Sequence, residues 1–161
     1  MRTVEDALGL WVSGLLSSEG VVARAERELA RLAEPPMELF SLASDGPEKC
    51  LKRSEAEFPY RPTQIGYAHQ FAIRAISVDL ESNEDLRHLA NWTARNCIGE
   101  DLSEPFAKLG YLLDHYISDC QNTDGAIALL RSELPSLLAQ CHLLASAYDE
   151  ADALYLPKEG P

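Results

Sequence analysis

The chain has 161 residues, 46% of them hydrophobic and 25% charged, with 14 Lys and Arg against 26 Asp and Glu for a formal charge of −12 at pH 7. That length suits one domain whose core needs neither a disulfide nor a metal to hold it together. So acidic a balance argues against sequence-independent binding of nucleic acid, which requires a net positive face to displace counterions.

The start of the chain is acidic, at Glu5 and Asp6, and Gly9, Ser13 and Gly14 dilute the first apolar run. No secretory signal is therefore expected, and no window of about 18 apolar residues predicts a membrane span. Cys50, Cys97, Cys120 and Cys141 are widely spaced. They read as reduced thiols of a cytoplasmic protein.

Helical periodicity dominates the rest. Val4, Leu8, Trp11 and Leu15 mark one face of a first helix, with Thr3 as its cap and an end or bend at Ser17, Ser18 or Gly20. Val22, Ala25, Leu29 and Leu32 mark a second, stopped by Pro35 and Pro36. Residues 34–62 hold five of the nine prolines and read as an irregular connection. A short helical turn fits 38–43. Ser54 and Glu57 spell a capping box, with Pro59 too close for a long helix.

Beyond Pro62, the line Ile65, Ala68, Ala72, Ala75, Ile76 and Asp79 predicts a helix. Leu86, Ala90, Thr93 and Cys97 predict another, begun at Asn83 and ended by Gly99. A third is capped by Asp101 or Ser103 and carries Phe106, Leu109, Leu113 and Tyr116. Residues 122–125 have turn chemistry, and a short helix over 126–132 follows. Pro135 then opens a last helix with Leu134, Leu138, Cys141, Ala145 and Tyr148, extending to Ala151 and Asp152. No stretch alternates with period two.

The expected fold is an all-α, single-domain helical bundle of five to six main helices over 1–161. A helical hairpin over 1–33 packs, through the connection 34–62, on a bundle over 63–156, and 157–161 is a tail. The expected core comprises Leu8, Trp11, Leu15, Leu29, Phe71, Ile76, Leu89, Leu109, Leu113, Leu138, Cys141 and Tyr148.

Catalytic patterns are incomplete. His69, His88, His115 and His142 fall on different predicted helices, with no His-x-x-x-His or Glu-x-x-His to seed a metal site. Cys141 and His142 are adjacent, and helical neighbours point about 100° apart, so they do not chelate one ion. A Cys–His nucleophile pair across helices is supported by no spacing. A calcium loop over 120–131 fails at its first and last ligands, Cys120 and Arg131. The Glu-x-x-Glu of the all-α nucleotide pyrophosphohydrolases is matched at Glu81 and Glu84, but its Glu-x-x-Asp partner is not. Neither a phosphate-cradling glycine loop nor a Gly-x-Ser-x-Gly elbow is present.

Charge distribution is the remaining signal. Residues 1–80 carry 9 basic and 12 acidic side chains, a balance of −3, and residues 81–161 carry 5 and 14, a balance of −9. The basic residues gather at Arg24, Arg27 and Arg31 and at Lys49, Lys52 and Arg53. The leading expectation is an acidic protein-interaction module without enzymatic activity: an inhibitor, immunity-type protein, chaperone or adaptor. Its partner is a basic protein, steered by Glu100, Asp101, Glu104, Asp114 and Asp119. No cofactor is expected. Two alternatives stand beside it: a metal- or ligand-binding bundle using His69, His115, Cys120 and His142, which could be an enzyme, and an acidic mimic of nucleic acid. An exposed Trp92 would add a self-association patch and a homodimer.

Overall fold

A computed structural model describes residues 4–148, and the described residues are helical with no strand. The chain divides at Ile65 and Gly66 into two compact units.

In the first unit, α1 (Val4–Val12), α2 (Ser18–Arg31), α3 (Met37–Asp45) and α4 (Pro47–Leu51) surround a core of Leu8, Val21, Leu39, Leu42, Cys50 and Phe58. Ser17 caps α2 by accepting the Gly20 N–H, which satisfies one of the donors left free at a helix start. The expected cap Thr3 lies outside the described residues. The stretch 34–62 is more regular than its prolines suggest. Pro36 precedes α3 and Pro47 opens α4, positions where a missing N–H costs nothing. The Ser54 capping box forms, with the Ser54 N–H and hydroxyl both donating to Glu57 Oε2, but no helix follows it. Instead the chain buries Phe58 completely and runs back along α1. There the Thr63 N–H donates to Glu5 O at 3.0 Å and its hydroxyl to Asp6 Oδ1 at 2.7 Å.

In the second unit, α5 (Tyr67–Ala75), α6 (Asn83–Asn96), α7 (Pro105–Asp114) and α8 (Thr123–Ala145) form the bundle. Its core holds Phe71 stacked on Phe106 at 4.8 Å, with Leu86, Leu113, Leu130, Leu134 and Cys141. Tyr67 crosses α7, where its hydroxyl donates to Phe106 O at 3.1 Å, directly over Gly110.

Several expectations change here. The fifth helix is shorter than its apolar line and ends at Ala75. Residues 122–125 are not a free turn: Asn122 caps α8 by accepting the Gly125 N–H. The expected short helix over 126–132 and the last helix are one. Pro135 sits inside α8, where the Arg131 carbonyl loses its intrahelical partner, and packing of Leu130, Leu134 and Cys141 on both sides carries the helix through. Of the expected core, Trp11, Leu29, Ile76, Leu138 and Tyr148 are only half-buried, while Phe58 and Phe106 prove central. Ala151 and Asp152 and the tail lie outside the described residues. No described helix is long and apolar enough to cross a membrane.

Candidate functional site

The five acidic residues separate into two groups at opposite ends of α7. Ten residues of helix span about 15 Å, so Glu104 and Asp114 do not share one small surface. Glu100, Asp101 and Glu104 lie together on the α6–α7 loop, all exposed. This loop is built, not slack. Gly99 turns the chain with a φ of +86° and donates its N–H to the Tyr111 hydroxyl. The Glu100 N–H then donates to Cys97 O and the Glu104 N–H to Asp101 O, each at 3.0 Å. Hydrogen bonds from the Ser103 amide and hydroxyl hold the Asp101 carboxyl below its ordinary range, so it stays charged near neutrality.

Two exposed apolar side chains that helical periodicity does not mark flank Glu100 and Asp101. Ile98 is 76% exposed and Leu102 is 60% exposed. No Lys or Arg occurs from Asn96 to Ala107. The signal was present as an apolar residue on each side of Glu100 and Asp101, but periodicity assigns loop residues to neither face.

At the other end of α7 the helix widens into a π-helical turn, His115–Asp119. The Cys120 N–H closes that turn on His115 O at 3.0 Å, five residues back. In an α-helix a residue faces those three and four positions on. The wider turn places both the fourth and fifth residues beside the first. His115 Nδ1 therefore meets Asp119 Oδ2 at 2.8 Å, and its Nε2 meets Cys120 Sγ at 3.6 Å. All three are exposed. Gln121 follows with a φ of +49°, a conformation strained for a residue with a Cβ, and the Asn122 N–H donates to Tyr116 O at 2.8 Å. Asp114, the remaining acid, accepts the Ser118 hydroxyl.

His69 and His142 do not join His115 and Cys120. His69 on α5 meets the Tyr148 ring edge-on, His142 lies exposed on α8, and no group of three or more His, Cys, Asp or Glu among the described residues is placed to hold a metal ion. The other three cysteines are buried. Burial pushes the Cys141 thiol up to about 11 and raises those of Cys50 and Cys97, the latter with help from the Asp114 and Glu100 charges. Trp92 is half-buried: it stacks on Tyr67 at 5.7 Å, and the Arg74 guanidinium lies 4.7 Å from its ring. Its ring is thus partly covered within its own unit. In the first unit Arg31, Lys52 and Arg53 pair with Glu28, Glu48 and Asp45, which removes much of the expected basic character there. Compared with known proteins, the chain matches no family model, no curated protein and no solved structure.

Proposed function

We propose that this protein is a binding module that docks a basic protein through its α6–α7 loop. One observation carries the reading: two exposed apolar side chains, Ile98 and Leu102, stand on a hydrogen-bonded loop among Glu100, Asp101 and Glu104. Apolar anchors with a charged surround are the anatomy of a protein interface, where the anchors supply affinity and the charge supplies steering. A loop already held by its own hydrogen bonds loses little freedom on binding. The fitting partner offers an apolar pocket edged by Lys or Arg. Apolar side chains among the acids also favour a protein partner over mimicry of a phosphate row, which would have no use for them.

The test compares one partner, captured and identified, across three forms of the chain. In Ile98→Ser/Leu102→Ser the charge is kept and affinity falls at least about tenfold, the loss expected from one buried aliphatic side chain. In Glu100→Gln/Asp101→Asn/Glu104→Gln the association rate falls and its salt dependence flattens. Asp114→Asn, at the far end of α7, binds as the parent does. Unchanged affinity in the first variant overturns the reading.

A further inference from the structure

We propose that Cys120, His115 and Asp119 form a reactive-thiol site that exchanges with small, uncharged or cationic disulfides, making Cys120 a site of reversible S-thiolation. The argument rests on the π-helical turn and not on the docking loop, so either can fail alone.

The three side chains stand in the order nucleophile, base and orienting acid. Asp119 Oδ2 lies 2.8 Å from His115 Nδ1, and an ionised carboxylate accepts only, so Nδ1 carries the proton and donates it. Nε2 of the neutral ring then presents a lone pair to the Cys120 thiol at 3.6 Å, within reach of an S–H donor. Two backbone bonds fix the cysteine in place, from the Cys120 N–H to His115 O and from the Asn122 N–H to Tyr116 O. Cys120 is exposed where the other three thiols are buried, so an incoming disulfide meets one sulfur only.

The exchange is balanced without a further oxidant. Cys120 gives its proton to His115 Nε2, and the resulting thiolate attacks one sulfur of the disulfide along the S–S axis. A bond forms from Cys120 Sγ to that sulfur as the disulfide S–S bond breaks. The departing thiolate takes the proton back from His115 Nε2. One thiol and one disulfide have become a mixed disulfide and one thiol.

Charge selects the reagent. The elements packed against the turn are α7 and α8. From them the nearby charged groups are Asp114 and Asp124, both acids, with Lys108 two helical turns back on α7. Arg131 on α8 is engaged with Leu80 O and Asn83 Oδ1. No Lys or Arg occurs between Lys108 and Arg131. An anionic disulfide is repelled and a cationic one attracted.

The experiment measures mixed-disulfide formation by mass spectrometry and stopped flow on the intact chain. The probes are cystamine, which is cationic, and 5,5′-dithiobis(2-nitrobenzoate), which is anionic. The folded wild type is expected to take one adduct, at Cys120, with cystamine favoured at low salt and the preference shrinking as salt rises. His115→Gln slows the reaction with cystamine on the order of tenfold at pH 6.5, a small part of what a general base can supply because this site is open to water. That difference narrows as the pH is raised, because solvent base then takes the proton that His115 accepts at lower pH. Asp119→Asn gives a smaller slowing of the same pH form. The wild type in urea, where the turn is lost, supplies a control that needs no variant. If folded Cys120 reacts with cystamine no faster than the same thiol in urea, if His115→Gln leaves the pH profile unchanged, or if the adduct lies on another cysteine, the proposal is wrong.

Discussion

In each unit another part of the unit closes against a glycine of a helix, and the two closures differ in kind. In the first unit a Cβ on Gly9 would lie 2.3 Å from the Thr63 backbone carbonyl, because the extended segment before Ile65 is laid along α1. In the second unit a Cβ on Gly110 would lie 2.5 Å from Cys97 Cβ and 2.7 Å from the Tyr67 hydroxyl, because α6 and Tyr67 press on α7. The first unit is thus closed by backbone on helix, around a proline-rich connection. The second is closed by side chains between helices. The same contrast runs through their charges. Arg31, Lys52 and Arg53 in the first unit pair with carboxylates, whereas in the second Arg131 serves a carbonyl and an amide, and Glu84 and Asp119 meet histidines. Both candidate sites lie in the second unit.

The largest expected effect compares the two aromatic cores. Phe71→Ala in the second unit removes a ring stacked on Phe106, and Phe58→Ala in the first removes a fully buried ring from the connection. Each should cost about 3–5 kcal/mol by denaturant titration. If Phe58→Ala costs under about 1 kcal/mol, the connection is not part of the first core. Next come the glycines. Gly9→Ala and Gly110→Ala should each destabilise by about 1–3 kcal/mol, Gly9→Ala more, since a carbonyl held by the chain yields less than a side chain.

An alkaline titration reads the buried thiols of both units, Cys50 in the first and Cys97 and Cys141 in the second. Cys141, and in the same direction Cys97 and Tyr67, have folded values raised above the unfolded ones by burial. The unfolded chain then releases these protons first, so stability is complete below about pH 9 and falls as pH rises through the folded values. For Cys141, pushed up to about 11, the loss is on the order of 2–3 kcal/mol. Cys141→Ala should flatten that decline, and an unchanged slope would assign it elsewhere. Smaller again is Ser82→Ala, which removes the hydroxyl accepting the Asp85 N–H at the start of α6 and should cost about 1 kcal/mol. The smallest is Arg53→Met, which breaks the partly exposed pair with Asp45 for about 1 kcal/mol or less.

How far these features could be read beforehand depends on whether their cause is local. The stripe Leu86, Ala90, Thr93 and Cys97 is buried as its spacing requires, and Thr93 satisfies its hydroxyl within the helix by donating to Leu89 O. Phe58 was not legible, because no period marks a buried residue in an irregular segment. Pro135 misled, since a proline predicts a break wherever no neighbouring core opposes it. The acids of the α6–α7 loop are legible in the sequence, but sequence alone does not place them on one face, and their separation from Asp114 and Asp119 follows from the length of α7. His115 and Cys120 both stood in the alternative ligand set, but no spacing paired them with each other. Five positions apart, they are strangers on an α-helix and neighbours only on a π-helical turn.

The sequence by itself determined the helical class, the start of α6 at Asn83 and the concentration of negative charge toward the C-terminal half. Each follows from residue chemistry acting within a few positions: apolar spacing, capping side chains and formal charge. Tertiary structure decided that α8 runs through its proline, that the proline-rich connection is part of a core, and that α7 ends in a widened turn. The first two outcomes follow from packing between side chains that local preference does not foresee, which can outweigh a lost hydrogen bond, and the widened turn closes on backbone bonds that no side-chain spacing announces.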